Sequence, residues 1–447
     1  MYRYHIYEQL KKFARADKNF HVPGHKGKGE FAKMFPAAKF DVTELSYSDN
    51  LFCPQAVIAA AQKDLAEITG AEKSYILTDG STCGIFSMLY VLKKRGGKVI
   101  IPRNSHQSVW NACKILGLEP LPVRGKICEG VLLPPDCGEV ERALDGADNI
   151  AGMLALSPDY YGNIAPIEEY KQILGRRGKL LCVDGAHGAH LFNEGENGAY
   201  SGRYADMRVD GAHKSLSVLT QGALLSVYAA PLIADAEEAL SVFRTTSPSY
   251  PIMASVEYGF KYLSNNPQAY FKAKAAAEEY KNNAKELCFY PSDDWTKLVW
   301  DLKPAGICAD KALCELEKAG IYAELSDGRY IIFYLSPSTN ASSLKKLLKA
   351  QKQVISLAKL ADTYFERSAL PETLRVCGYL AAATAPCEAV ELSAAEDRVC
   401  AANAGVTPPC IPVICAGERI SREVIQVLTN AKNTFGLTDG KVWAVKQ

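Results

Sequence analysis

The sequence predicts an α/β protein: a mostly parallel sheet flanked by helices, followed by a smaller α+β portion. Three observations predict it. Between about residues 70 and 230, short aliphatic runs alternate with helical patterns, the mark of βαβ units. The runs are continuously apolar, as strands buried on both faces of a parallel sheet require. Polar, ionisable residues follow directly after several runs, where an open α/β sheet binds its ligand.

The elements can be justified in order. Ser74–Leu77 ("SYIL") reads as a strand, and Ile85, Met88, Leu89 and Leu92 then fall on one face of a helix. Further strands are read at Lys98–Pro102, Ala151–Leu156, Lys179–Val183, around Met207–Val209, and at Ala223–Ala229. Leu263–Gln268 is a turn cluster, and Ala269–Leu287 is a long helix rich in good helix formers. Strand patterns at Lys297–Leu302, Tyr322–Leu325 and Tyr330–Leu335, with a helix over Lys311–Ala319, make the smaller α+β unit. The prolines of Thr407–Glu418 predict an irregular path. The expected division is an N-terminal segment 1–40, a large domain 41–288, a small α+β domain 289–370 and a C-terminal segment 371–447.

Composition narrows the function. With 51 Lys and Arg against 50 Asp and Glu the net charge is +1, and no basic or acidic block stands out. That argues against nucleic acid or a charged membrane surface as partner and favours a small-molecule substrate. No window approaches the roughly 18 apolar residues of a membrane span, and the N-terminus has no signal-cleavage pattern. The fourteen cysteines contain no C-x-x-C pair, so no metal site is expected and the thiols are read as free, in a reducing, cytoplasmic setting.

The groups after the strands form a short roster. Gly80, Ser81 and Thr82 follow the first, His106 the second, Asp184-Gly-Ala-His187 the fourth, and Asp210-Gly-Ala-His213-Lys214 the fifth. Taken alone, Ser81 and Thr82 read as helix caps; the same geometry, with the Gly80 turn, would offer a helix N-terminus to a phosphate. Together, an acid ending one strand, a lysine after another and a phosphate turn suit pyridoxal phosphate. The lysine forms the Schiff base and the acid pairs with the pyridinium nitrogen.

The chain resembles the Orn/Lys/Arg decarboxylase family of fold-type I pyridoxal-phosphate enzymes, in the short bacterial form without an N-terminal wing domain. The resemblance rests on Phe20–Gly27, Asp41–Leu45, Asp49–Gln55, Asp79–Gly84, Ile101–Val109, Ser157–Gly162, Val183–Phe192, Gly211–Leu216 and Thr245–Ser255, in that order. It implies a seven-stranded sheet and a homodimer, or a multiple of one. It also implies Lys214 as the cofactor-bearing lysine, with His213 beside it, and Asp184 as the pyridinium partner. By the same resemblance Ala186 lies against the ring with His187 nearby, and His106 stacks on it. Gly80, Ser81 and Thr82 become the phosphate cradle, while Thr246 and Ser247 serve the neighbouring subunit.

The chain departs from the family pattern in several places. Gly185 stands where Glu is common, and Gly211 where a phosphate-binding Ser is common. Phe52 and Gln55 replace a usual His and Glu. Ala402, Thr407 and Cys410 replace a usual Glu, Tyr and Gly. The expected activity is α-decarboxylation of arginine, lysine or ornithine to the corresponding amine, with Lys214, Asp184, His106 and His213 as the catalytic set. The alternatives are an aminotransferase or aldolase-like lyase on the same cofactor, or a non-catalytic binder of it. Glu388, Glu391 and Glu396 are candidates for the substrate's distal cation only by neighbourhood. Asp210 has no assigned role.

Overall fold

The apolar runs fold into strands β1 (Lys73–Leu77), β2 (Lys98–Pro102), β3 (Glu119–Val123), β4 (Ile150–Leu156), β5 (Leu180–Asp184), β6 (Met207–Asp210) and β7 (Ala223–Val227). They build a mixed sheet of seven strands. Every residue of β4, β6 and β7 is buried, which is why these segments carry no polar alternation. The computed structural model describes residues 1–14, 19–195, 198–358, 370–407, 409–431 and 433–446. Residues 359–369, at the end of the expected 289–370 domain, and Pro408 lie outside the described residues.

The chain divides into two compact units. The first comprises Met1–Val91, Leu181–Ala277 and Leu335–Ala341. It contains the run β1-β7-β6-β5, in which β7 is antiparallel to both neighbours while β5 and β6 are parallel. The helix Gly80–Lys93 follows β1, and it can lie close to β6 because residue 84 is glycine. A Cβ there would stand 2.4 Å from Val209 Cγ2. Asp49, in the left-handed region at φ +68°, accepts the backbone N–H groups of Gln55, Ala56 and Ile58, so Asp49–Gln55 forms a cap leading into the helix Val57–Thr69.

The second unit comprises Leu92–Leu180, Glu278–Tyr334 and Ser342–Gln447. Its run β4-β2-β3 is parallel throughout. β3 was not among the expected strands, and it contains Pro120 and Pro122, residues that interrupt strands in general. It ends the sheet, and an edge strand tolerates residues that donate no ladder hydrogen bond on the open side. A four-stranded antiparallel sheet of Cys288–Phe289, Lys297–Asp301, Tyr330–Tyr334 and Leu325–Ser326, with the helix Ala309–Lys318, forms the expected α+β element. Two three-stranded sheets near the C-terminus enclose a core of Ala404, Val413, Ile414, Val424, Leu428 and Val442. Among the described residues no helix is long and apolar enough to cross a membrane.

Among its described residues, the Thr407–Glu418 run is less irregular than its prolines suggest. Ile411–Ile414 forms a strand, again at the end of its sheet. Arg103, just after β2, anchors it by donating to the carbonyls of Pro412 (2.8 Å) and Val413 (3.2 Å) and to Glu418 Oε2 (3.0 Å). Cys410 adopts φ +61°, a region that costs a residue with a Cβ roughly 1–2 kcal/mol, which explains the preference for glycine there. Cys410→Gly is therefore expected to raise the thermal midpoint slightly. The gain is small because glycine's unfolded-state freedom takes back about 0.5–1 kcal/mol; a fall in the midpoint would contradict this.

Candidate active site

Strands β5 and β6 carry the repeated Val-Asp-Gly-Ala-His motif, and their register separates its two copies. Val183 pairs with Arg208 and Asp184 with Val209, so the copies are staggered by one residue. Side chains alternate between faces along a strand, and paired residues share a face. Asp184 therefore lies on the Val209 face, the one covered by the helix Gly80–Lys93. Arg208 and Asp210 lie on the opposite face. One motif thus serves two sides of the sheet.

Asp184 is 4% exposed, and Ala186 and His187 beside it are equally buried. Asp184 Oδ1 accepts the Ala186 backbone N–H at 3.1 Å. Burial pushes its carboxyl above the ordinary carboxylate range, while the Lys214 charge pulls the other way. Lys214 lies in the short helix Ala212–Ser215, half-buried, with Nζ 3.1 Å from His187 Nε2. The His213 N–H donates to Gly222 O (3.1 Å) and the Gly80 N–H to Gln221 O (2.9 Å). Two consecutive carbonyls entering β7 therefore fix both the lysine turn and the phosphate-type turn.

Gly80, at φ +73°, opens the helix that continues through half-buried Ser81 and exposed Thr82, leaving first-turn N–H groups at an anion-favouring end. Gly211 cannot be the serine of the family pattern on this backbone, since a Cβ would stand 2.6 Å from Ala186 O. Gly211→Ser is accordingly expected to displace the Ala186 loop, costing about 1–3 kcal/mol of stability and weakening cofactor uptake. A pyridoxal phosphate titration and a melting curve check this, and tighter uptake by the serine variant would contradict it.

Asp184, Ala186, His187, His213 and Lys214 are thus brought together in the first unit, with Gly80–Thr82 linked to them through β7. Thr246 and Ser247 belong to the same unit but are exposed. Their segment is tied down by the Thr245 N–H to Asp79 Oδ2 (3.4 Å) and the Ser247 N–H to Thr245 Oγ1 (3.2 Å). His106 belongs to the second unit. It caps the helix Gln107–Leu116, its Nδ1 accepting the Ser108 N–H at 3.2 Å. The Gln107 N–H donates to Cys410 O at 2.9 Å, so the altered residue Cys410 abuts the His106 turn. Glu388, Glu391 and Glu396 are exposed; the first two pair with Arg398 and Lys441, as surface carboxylates do.

A cluster that the sequence reading did not assemble surrounds Asp210. Arg208 and Asp210 are both fully buried, with Arg208 Nε donating to Asp210 Oδ1 (2.8 Å) and Tyr200 Oη to Asp210 Oδ2 (2.9 Å). Tyr228 Oη lies 3.1 Å from Tyr200 Oη, and the guanidinium sits 4.4 Å from the Tyr200 ring centroid. The signal was an opposite-charge pair two residues apart on a strand otherwise apolar throughout.

The residues present suit pyridoxal phosphate. A buried carboxylate is available to pair with a pyridinium, an amine stands close by, and an N–H-rich helix start is held by the carbonyl next to the one that holds the lysine turn. Comparison with known proteins points the same way. The family profile "Orn/Lys/Arg decarboxylase, major domain" matches residues 5–288, and its C-terminal-domain counterpart matches 358–436. An arginine decarboxylase of Halalkalibacterium halodurans is 30% identical over 90% of this chain and 88% of its own length. One of Bacillus subtilis is 27% identical over 95% and 92%. Among solved structures, the constitutive lysine decarboxylase of Escherichia coli superposes with a TM-score of 0.77 at 18% identity, over 98% of this chain and 81% of that one; this likeness establishes the fold-type I architecture. On these grounds the chain belongs to the Orn/Lys/Arg decarboxylase family.

Proposed function

We propose that the protein is a pyridoxal-phosphate-dependent α-decarboxylase of arginine, working through Lys214 and Asp184. The observation that carries this reading is the convergence of Lys214 Nζ, His187 and buried Asp184 at the ends of β5 and β6. Arginine is preferred because the arginine decarboxylases match along nearly their whole length. The E. coli lysine decarboxylase matches over 36% of its own sequence.

Pyridoxal phosphate, the cofactor of the family, supplies when bound an electron sink for the pair left at Cα as the carboxylate departs as CO₂. Asp184 holds a proton at the ring nitrogen by staying ionised beside it. Gly80, Ser81 and Thr82 orient the phosphate. Lys214 would hold the cofactor and give way to the substrate amine, and its Nζ, with His187 Nε2 at 3.1 Å or His213, would carry the proton returned to Cα. A stacking role for His106 would follow from the resemblance alone. Thr246 and Ser247 face a second copy in a homodimer. A cytoplasmic setting is supported by fourteen free cysteines, which suit a reducing compartment.

The test is CO₂ and amine formation by the pyridoxal-phosphate-loaded protein with arginine, lysine and ornithine. The expected result is one CO₂ and one amine per arginine consumed, with slower turnover of the other two. Keto-acid formation or aldol cleavage without CO₂ would favour the transaminase or lyase chemistry instead. Cofactor uptake without turnover would favour a non-catalytic binder.

A further inference from the structure

We propose that Arg208 is a positioning residue for the cofactor clamp, acting from the far face of the sheet on the loop that follows Asp184. The proposal rests on the reading of Asp184 and its neighbours as a pyridoxal phosphate site. Arg208 spans from its own strand to the adjoining loop. Nη2 donates to Gly188 O at 3.1 Å and approaches Gly185 O at 3.5 Å, and Nη1 donates to Ser201 Oγ. Between those two carbonyls run Ala186 and His187, the residues beside Asp184. The Gly188 N–H closes the turn onto Gly185 O at 2.8 Å, and the Gly185 N–H donates to Val209 O at 2.9 Å. The loop is thus bonded at its first residue to β6 and at its last to Arg208.

Asp210 holds Arg208 in place, with Nε 2.8 Å and Nη2 2.7 Å from Oδ1. A fully buried ion pair is weak evidence for stability, because removing both charges from water offsets most of their attraction. What such a pair does supply is a fixed geometry, here a guanidinium with its donors aimed at loop carbonyls. The charge also reaches across the sheet: against burial, which raises the Asp184 proton affinity most, Arg208 favours the ionised form, less strongly than Lys214 and the Ala186 N–H do.

Gly185 belongs to the same device. A Cβ at residue 185 would stand 2.4 to 2.7 Å from Arg208 Cζ, Nη2 and Nε, under any contact that real side chains make. Glycine at 185, where Glu is common in the family pattern, and arginine at 208 are therefore a matched pair. The space an acidic side chain would begin to fill is taken by the guanidinium.

The test uses full-length Arg208→Met, Gly185→Ala and the double variant, titrated with pyridoxal phosphate. It reads the dissociation constant and the visible circular dichroism of the bound cofactor, alongside the melting temperature of cofactor-free protein. Arg208→Met is expected to weaken cofactor binding about 10- to 100-fold, as loss of an outer-shell partner does, and to reduce the dichroic band, both read well below the cofactor-free melting temperature, which falls because Asp210 is left buried and unpaired. Gly185→Ala is expected to weaken binding in the parent and to add almost nothing in the Arg208→Met background, where the clash is gone. If Arg208→Met does not fold, Gly185→Ala, which leaves the ion pair in place, carries the same readout. Parent-like affinity and dichroism in Arg208→Met, or in Gly185→Ala where it stands in, overturn the positioning role alone. A parent protein that takes up no pyridoxal phosphate overturns the underlying reading and this proposal with it.

Discussion

Replacing Lys214 by alanine is expected to lower CO₂ release from arginine by about 10²- to 10⁴-fold, the range lost when a positioned proton-transfer group is removed. Loss of the covalent anchor adds to this. The geometry gives the reason. Nζ is the amine placed 3.1 Å from His187 and within the charge field of Asp184, on a turn fixed by the His213 N–H to Gly222 O bond. Other lysines of the first unit, such as Lys261, are committed to carboxylates: Lys261 Nζ is 2.8 Å from Glu257 and 2.6 Å from Asp64. Steady-state CO₂ release checks the effect. The Lys214→Ala protein should retain weakened, non-covalent cofactor uptake, since the phosphate turn and Asp184 are untouched. Parent-like turnover would remove Lys214 from the chemistry.

Replacing Asp184 by asparagine is expected to be nearly as damaging, because the amide is almost the same size and cannot carry the charge. Breaking a buried charge pair by removing one partner costs about 3–5 kcal/mol, which converts to an activity loss of roughly 10²- to 4 × 10³-fold. The pH dependence of cofactor-free protein offers a second readout. Burial raises the proton affinity of Asp184 in the folded chain, so the group's contribution to stability is fully present below its unfolded-state pKa. It is lost as pH rises through the raised folded value. Cofactor-free Asp184→Asn should therefore lose less stability than the parent as pH rises across that window. Loading with pyridoxal phosphate should remove the parent's disadvantage. An identical pH profile for the two cofactor-free proteins would contradict the assignment of an ionising, buried Asp184.

The sheet was legible because burial on both faces leaves a continuous apolar run, and β2, β4 and β7 lie within a residue or two of where the letters put them. β3 was not, since Pro120 and Pro122 break strands in general yet are tolerated at a sheet edge. The same reasoning recovers Ile411–Ile414, a terminal strand containing Pro412 inside a run that reads as irregular. The placement of Asp184, His187 and Lys214 at adjoining strand ends was legible through the strand-end rule and the resemblance. Asp210 was not, because its meaning depends on a one-residue stagger between β5 and β6, and register is set by pairing across the sheet rather than by local sequence. Once the stagger is known, the near-identical motifs part company: one faces the helix Gly80–Lys93, the other a buried Arg208–Asp210–Tyr200 cluster. The substitutions at 185, 211 and 410 likewise acquire reasons in space, namely a guanidinium, a carbonyl and a left-handed turn.

The most direct test of the central claim is borohydride reduction of the protein incubated with pyridoxal phosphate, followed by peptide mass mapping. A pyridoxyl group on the peptide containing Lys214, at one per chain and absent from the Lys214→Ala protein, is the predicted result. A label on a different lysine, or none at saturating cofactor, would contradict the assignment of this site.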